Sequence, residues 1–266
     1  MTFNSILILG CGNMGGAMLA GWLGAGLDPA RFTVVDPFLA EAPAGVTLLR
    51  EAPQRQFDVI LLGVKPQALD AAVPALAAAV GPGSIVLSIL AGVEIASLAA
   101  RVPDARAIVR VMPNLAAAIG KSPLGIYGQG LDQAGQTALG DLLAPLGRCE
   151  WLASEDQLDA VTALAGSGPA FVYRFVDALA AGGAELGLDP DQALRLALAM
   201  VEGAGALAAA SPDTPGELAR RVTSPGGTTA AGLAVIDHDA AFARLIAQTL
   251  RAARDRGAEL AAAARS

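Results

Sequence analysis

The first half of the chain carries its hydrophobic residues in short continuous runs rather than in alternation with polar residues. Continuous apolarity predicts strands that are buried on both faces. Ala- and Leu-rich stretches of helical length separate the runs, and strands that alternate with helices indicate a doubly wound, mostly parallel sheet. The predicted strands cover residues 6–9, 32–35, 59–64, 84–90, 107–112 and 125–127.

The pattern changes after Trp151, because no further β-rich run follows and apolar residues recur at helical spacing. The predicted helices cover residues 156–165, 170–186, 190–210 and 240–264. Ser154 followed by Gln157 predicts a capping box, and Asp189 before Pro190 predicts a cap with proline at the first helical position. We therefore expect an α/β domain over residues 1–152 and an all-helical domain over residues 153–266.

One uncharged run, residues 71–93, is long enough to span a bilayer. Pro74, Gly81, Pro82 and Gly83 divide it, which favours a buried helix, a turn and a strand over a membrane span. No Lys or Arg precedes Arg31, so no signal peptide is expected.

The composition of the chain argues against several classes of binding partner. The chain has 18 Lys and Arg against 25 Asp and Glu, a net charge of -7, which offers no basic footprint for nucleic acid or an anionic membrane. Its two cysteines, Cys11 and Cys149, are too few for a disulfide framework. We expect a soluble, cytoplasmic protein with a small-molecule substrate.

The strand Ile6–Leu9 leads directly into Gly10-Cys11-Gly12-Asn13-Met14-Gly15, which opens an apolar helix. In this strand–turn–helix context the pattern predicts a dinucleotide-binding turn. The first glycine permits the tight turn, the second lets the backbone approach the pyrophosphate, and the third lets helix and strand pack closely. The alternative is a glycine-rich turn that binds no nucleotide.

Two charged residues follow predicted strands at the edge where ligands of open α/β sheets bind. Asp36 ends the second strand, where an acidic residue accepts hydrogen bonds from the adenosine ribose and favours NADH. Residues 37–39 supply no Arg or Ser for the 2′-phosphate of NADPH. Lys65 follows the strand 59–64. For each residue the alternative is a solvated side chain.

The loop of residues 222–229 combines two glycines with four Ser and Thr residues ahead of an Ala-rich segment. Several backbone N–H groups that point to one place at a helix start suit a carboxylate or a phosphate. Ser and Thr also cap ordinary helices, so spacing alone leaves that alternative open.

This loop occurs together with Ala163-Leu164-Ala165-Gly166-Ser167-Gly168-Pro169-Ala170 and Arg110-Val111-Met112-Pro113-Asn114. Val64-Lys65-Pro66-Gln67 and Ala91-Gly92-Val93 accompany them. In order and spacing these runs resemble the pyrroline-5-carboxylate reductases nearly from end to end, and the combination is more selective than any one motif.

The resemblance implies a Rossmann domain and a helical domain that dimerises by intertwining, with an active site completed by the partner subunit. Dimers of this family can assemble further. The implied reaction is the last step of proline biosynthesis, in which hydride from NADPH or NADH reduces the C=N bond of L-1-pyrroline-5-carboxylate. It requires no metal.

The resemblance also implies residue roles. The backbone of Gly226, Gly227 and Thr228 would hold the substrate carboxylate, Ser224 would shape the loop, and Thr229 would hydrogen-bond the ring nitrogen as the catalytic residue. The residues implied to contact the cofactor are Gly10, Gly12, Asn13, Met14, Gly15, Asp36 and Lys65, with Ala91, Gly92, Met112, Pro113 and Asn114 around the nicotinamide.

Two positions depart from the family pattern. Leu115 stands where relatives commonly have Thr, which puts any polar contact of that Thr in doubt. Asp36 stands where relatives often accept the 2′-phosphate, so NADPH is less secure here than the family alone suggests.

Other chemistries fit the sequence poorly. The single histidine, His238, lies between two aspartates in a polar turn and is expected at the surface, which leaves no Ser-His-Asp triad and no zinc site. The alternatives that stay open are another Rossmann imine or β-hydroxyacid reductase and a regulator that binds NAD(P)H without turnover.

Overall fold

The computed structural model describes residues 3–265, and it describes the side chains of all of these except residues 75, 260, 261 and 263–265. Within these residues one sheet of eight strands has the order β3-β2-β1-β4-β5-β6-β7-β8. The strands are β1 Ile6–Leu9, β2 Phe32–Val35, β3 Thr47–Leu49, β4 Val59–Leu62, β5 Ile85–Ser88, β6 Ala107–Met112, β7 Ser122–Gln129 and β8 Gly147–Trp151.

The first six strands in chain order are mutually parallel, whereas β7 runs antiparallel to β6 and β8 parallel to β7. The carboxyl ends of β1 to β6 therefore meet at one edge of the sheet. Strand order reverses between β1 and β4, and such a switch point is where open α/β sheets bind ligands.

Both faces of the sheet are covered. In β1, Ile6 and Ile8 belong to one buried cluster, and Leu7 and Leu9 to the other. Successive side chains of a strand point to opposite faces, so burial on both faces requires an apolar residue at every position. The continuous apolar runs predicted as strands are explained by this arrangement.

Four helices lie between the strands, namely α1 Asn13–Gly24, α2 Leu69–Leu76, α3 Ile95–Arg101 and α4 Gln133–Leu143. The uncharged run 71–93 covers most of α2, a turn, β5 and the loop after it, which confirms the predicted helix, turn and strand. The apolar pattern did not reveal β3 and β8. Arg148 and Glu150 of β8 are exposed. The strand β3 has only three residues, of which Thr47 is exposed and the other two are partly buried, so neither strand carries a continuous apolar run.

The described residues after β8 are mostly helical, with a π-helical turn at Thr162–Gly166 between the first two helices. The helices are α5 Gln157–Val161, α6 Gly168–Glu185, α7 Pro190–Ala210, α8 Pro215–Arg221, α9 Thr228–Ile236 and α10 Ala241–Arg265. The helix α8 was not predicted.

One of the two predicted helix starts is confirmed. Asp189 accepts a hydrogen bond from the Gln192 N–H, with Pro190 at the first helical position. The capping box at Ser154 is wrong, because the Gln157 side chain accepts from the Ala153 N–H and Ser154 contributes only its carbonyl. A capping box forms instead between Thr214 and Glu217.

The chain divides into two compact units, Met1–Gly166 with Ala253–Ser266, and Ser167–Ala252. The first unit contains the whole sheet. In the second, α6 packs against α7. The boundary near residue 152 remains a prediction.

Candidate active site

The glycine turn after β1 has the geometry that a dinucleotide needs. Gly10 has a φ of +84°, and a Cβ there would lie 2.9 Å from the Val64 nitrogen. A Cβ on Gly15 would lie 2.7 Å from the Gly10 oxygen, so α1 approaches β1 closely. Nothing lies within 4 Å of a Cβ built on Gly12, which precedes the first residue of α1. The space above Gly12 therefore suits a pyrophosphate at a helix N-terminus.

A cavity of about 800 Å³ opens beside this turn at the carboxyl edge of the sheet. Four predicted cofactor residues, Gly10, Gly12, Asp36 and Lys65, line it. Asn13 and Met14 form the first turn of α1. Other residues that line the cavity include Phe38, Arg50, Glu51, Gly63 and Ala68. The glycine turn, the open cavity and its charged rim together fit a dinucleotide.

Asp36 organises the loop at the end of β2. Its Oδ2 accepts from the Cys11 N–H at 2.8 Å, and its Oδ1 accepts from the Phe38 N–H at 2.8 Å and the Leu39 N–H at 3.1 Å. Burial by itself raises the pKa of Asp36, but the three N–H donors and the Arg50 charge outweigh it and hold the pKa below its ordinary value. Asp36 is therefore ionised at neutral pH.

Cys11 occupies the second position of the turn and is half-buried. Burial raises the pKa of its thiol, and the Asp36 charge adds to that effect. The thiol is therefore neutral at physiological pH, and the contribution of Cys11 to this turn is its backbone N–H.

Sequence patterns missed Arg50, which follows β3. The register that pairs Val35 with Leu49 continues by one residue to place Asp36 beside Arg50. The Nη1 of Arg50 donates to the Asp36 carbonyl at 2.8 Å and to the Leu39 carbonyl at 2.6 Å. The available signal was the short β-prone run before a charged residue, and it was too weak to predict a strand.

Ala91 and Gly92 follow β5, and Met112 is the last residue of β6, with Pro113 and Asn114 directly after it. The predicted nicotinamide residues therefore lie at the same edge of the sheet. Asn114 is buried, and its Nδ2 donates to the Ala165 carbonyl at 3.0 Å while its Oδ1 accepts from the Ala116 N–H. Its side chain thus holds the end of β6 to the π-helical turn. Leu115 is 55% exposed at the start of a 3-10 turn, Leu115–Ile119.

A second cavity, of about 380 Å³, lies next to Gly92 and has a charged lining. Arg110 of β6 is buried there and pairs with Glu155 at 2.7 Å. The same oxygen, Oε1 of Glu155, accepts from the Ile95 N–H at 2.8 Å. This bridge ties β6 to the start of α3 and to the segment before α5. No sequence pattern predicted a role for Arg110, the first residue of the run Arg110–Asn114.

The predicted substrate loop lies in the second compact unit. Gly226 has a φ of +70°, and the Gly227 N–H donates to the Ser224 carbonyl at 3.0 Å. Gly227 precedes α9, whose first residues are Thr228 and Thr229, and no side chain caps it. Because the first N–H groups of a helix have no intrahelical acceptor, this loop presents donors that suit an anion.

The remaining candidates behave as surface or packing residues. His238 is 77% exposed beside Asp239, as predicted. Both cysteines are free. Among the residues that the structure describes, no group of three or more His, Cys, Asp and Glu side chains is arranged to hold a metal ion.

The parallel sheet, the glycine turn and the cavity beside it define a dinucleotide-binding protein of the Rossmann class, with a second, helical unit. Residues 5–92 match the family model described as NADP oxidoreductase coenzyme F420-dependent, and residues 155–260 match that described as pyrroline-5-carboxylate reductase dimerisation. The chain is 38% identical to pyrroline-5-carboxylate reductase from Pseudomonas aeruginosa, with 98% of each chain covered. The chain therefore belongs to the pyrroline-5-carboxylate reductase family.

Further comparisons agree with this assignment. The pyrroline-5-carboxylate reductase of Glycine max is 35% identical, with 95% of this chain and 94% of that one covered. The solved structure of the Coxiella burnetii pyrroline-5-carboxylate reductase is 29% identical, with a TM-score of 0.90. The match covers 98% of this chain and 99% of that one. The fold is also shared by the NADP-bound pyrroline carboxylate reductase of Plasmodium falciparum, which is 23% identical, with a TM-score of 0.84. That match covers 98% of this chain and 100% of that one.

Proposed function

We propose that this protein reduces the C=N bond of L-1-pyrroline-5-carboxylate to give L-proline, with hydride from NADPH or NADH. The observation that carries the proposal is a glycine turn that opens on a dinucleotide cavity, in a chain similar to pyrroline-5-carboxylate reductases over 98% of its length. Reduction of a protonated imine needs little acid–base machinery, because the iminium carbon is already electrophilic.

Residues of the loop 224–229 would bind the substrate. The N–H groups around Gly227 and the start of α9 would hold its carboxylate, and the Thr229 hydroxyl would hydrogen-bond the ring nitrogen. The nicotinamide would supply the hydride when bound. Positioning and charge account for most of the required catalysis.

We further propose that the protein acts as a cytoplasmic homodimer. Apolar side chains of α6 and α7 are exposed in the single chain, including Tyr173, Leu194, Leu198 and Leu207. By length and composition alone, the described helix Pro190–Ala210 could cross a membrane. Only 11% of its most apolar 18-residue stretch is buried within the single chain. A second copy of the chain would cover this surface, because the segment matches a dimerisation family.

The test is loss of NADPH or NADH absorbance on addition of L-1-pyrroline-5-carboxylate, with proline identified as the product. A β-hydroxyacid dehydrogenase would need a catalytic lysine early in a helix of the second domain, and residues 163–186 contain none. A regulator that binds the cofactor without turnover would show binding but no absorbance loss. Absence of turnover with both cofactors would refute the reductase proposal.

A further inference from the structure

Two charges of opposite sign lie at the end of the cavity formed by β2 and β3. Asp36 follows β2 and Arg50 follows β3, and the Asp36 N–H donates to the Leu49 carbonyl at 3.2 Å. The two strands are parallel neighbours, so both residues leave the sheet at the same edge. Both residues line the cavity beside the glycine turn.

The hydrogen-bonding capacity of Asp36 is largely used within the protein. Oδ1 accepts two backbone N–H groups and Oδ2 accepts one. A carboxylate oxygen offers about two acceptor positions, so roughly one remains on Oδ2 for a ribose hydroxyl. Asp36 can therefore contact the ribose, but its main contacts fix the backbone of the loop.

The Arg50 guanidinium, by contrast, has donors left over. Both of its hydrogen bonds to described residues are made by Nη1, to the carbonyls of Asp36 and Leu39. No described carboxylate forms an ion pair with it, although Asp36 and Glu51 line the same cavity. Nε and Nη2 of a guanidinium carry three further N–H donors in a planar fork, an arrangement that matches phosphate oxygens.

Position separates Arg50 from the other cation of the cavity. Lys65 follows β4, which lies on the far side of β1 from β2 and β3. In a Rossmann site the adenosine ribose sits at the end of β2. Phe38, 93% exposed and part of the cavity lining, supports this placement, because an apolar ring at this point suits a planar base.

We propose that Arg50 binds the 2′-phosphate of NADPH, so that the protein uses NADPH despite the acidic residue at the end of β2. Its Nη1 contacts hold the guanidinium beside the ribose position, and its remaining donors receive the phosphate. The positive charge offsets the repulsion that Asp36 exerts on that phosphate. The proposal rests on the proposed cofactor site but not on the identity of the imine substrate.

The test is calorimetric binding of two cofactor fragments, 2′-phospho-ADP-ribose and ADP-ribose, to the full-length protein without substrate. We expect the intact protein to bind 2′-phospho-ADP-ribose at least as tightly as ADP-ribose. Arg50→Gln should weaken 2′-phospho-ADP-ribose binding by about 10-fold to 100-fold, the usual range for a hydrogen bond to a charged group. ADP-ribose binding should change by less than about 3-fold.

Arg148→Gln is the matched control, because Arg148 lies on the edge strand β8 and is 85% exposed outside the cavity. It should leave the affinity for both fragments unchanged. Salt gives an independent measurement, since added salt should weaken 2′-phospho-ADP-ribose binding more steeply than ADP-ribose binding, and Arg50→Gln should remove most of that difference.

If Arg50→Gln weakened the binding of both fragments equally, the proposal would be overturned. Arg50 would then only stabilise the loop 36–39. Much weaker binding of 2′-phospho-ADP-ribose than of ADP-ribose by the intact protein would overturn it as well. Neither outcome concerns the reductase proposal, which depends on turnover of the imine. Failure of turnover with fragment binding intact would refute the reductase proposal alone.

Discussion

Oδ2 of Asp36 accepts a hydrogen bond from the Cys11 N–H at 2.8 Å, which joins the end of β2 to the glycine turn after β1. The residue predicted to select the cofactor is therefore also a structural part of the turn that binds it. A substitution at Asp36 changes the loop as well as the charge.

This contact predicts a pH-dependent contribution to stability. Because the pKa of Asp36 is lowered in the folded protein, its contribution is complete above the ordinary aspartate value near 3.8 and is lost as the pH falls through the lower folded value. The free energy of unfolding of the wild type should exceed that of Asp36→Asn most at neutral pH, and the gap should narrow toward pH 3. Urea denaturation at a series of pH values measures this difference in the free energy of unfolding. The control is Asp104→Asn, at an exposed aspartate outside the loop. A difference between the wild type and Asp36→Asn that does not change with pH would contradict the prediction.

Gly10 and Gly24 offer a matched pair of glycine substitutions. Gly10→Ala places a Cβ at a φ of +84° and 2.9 Å from the Val64 nitrogen, so it should destabilise the protein by about 1–3 kcal/mol and weaken dinucleotide binding. Gly24→Ala, at the end of α1 with nothing within 4 Å, should be neutral or stabilising by about 0.4–1 kcal/mol. Thermal unfolding and calorimetry distinguish the two. Equal stability of both variants would argue against the tight turn.

Thr229→Ala tests the proposed catalytic hydroxyl. Loss of a hydrogen bond to the ring nitrogen should reduce kcat by about 10-fold to 100-fold, on the order of 1.5–3 kcal/mol, and leave cofactor affinity unchanged. Steady-state kinetics and cofactor titration measure both quantities. Thr249→Ala removes a hydroxyl that bonds the Leu245 carbonyl on α10 and should be without effect on kcat. Wild-type turnover by Thr229→Ala would remove this residue from the mechanism.

Glu155→Gln tests the buried bridge at the second cavity. Arg110 has a side chain only 6% exposed, so loss of its charged partner should lower the free energy of unfolding by about 1–3 kcal/mol. Glu150→Gln removes the partner of Arg148 in a pair exposed by 60% and 85%, and should cost less than about 0.5 kcal/mol. Urea denaturation at one fixed protein concentration compares the free energies of unfolding of the two variants. Equal losses would show that burial of the Arg110 pair adds nothing to the stability of the protein.

The exposed face of α7 predicts the outcome of an assembly experiment. The double substitution Leu194→Asp and Leu198→Asp places two charges on one face of the helix and should shift the mass from dimer to monomer at micromolar concentration. Light scattering with size exclusion measures the mass. Gln192→Asp, an exposed polar position on the same helix, should leave the mass unchanged. A monomeric mass for the wild-type protein would refute the homodimer proposal.

Patterns that depend on local residues predicted the fold well. The bounds of Ile6–Leu9, Phe32–Val35 and Ala107–Met112 follow from burial on both faces, which leaves a continuous apolar run in the sequence. The edge strand Gly147–Trp151 left no such run, because its Arg148 and Glu150 are exposed. Ser154 failed as a cap because the Gln157 side chain bonds the Ala153 N–H instead.

The sequence by itself determined the strand–turn–helix at Gly10, the helical second half and the surface position of His238, because each depends on residues close together in the chain. Only the tertiary structure brought Arg50 beside Asp36 and paired Arg110 with Glu155. The first contact joins residues 14 positions apart and depends on the pairing of β2 with β3. The second joins residues 45 positions apart and depends on the packing of separate elements. Local periodicity carries no information about such partners, so the charge that we propose selects the cofactor could be located only in the folded chain.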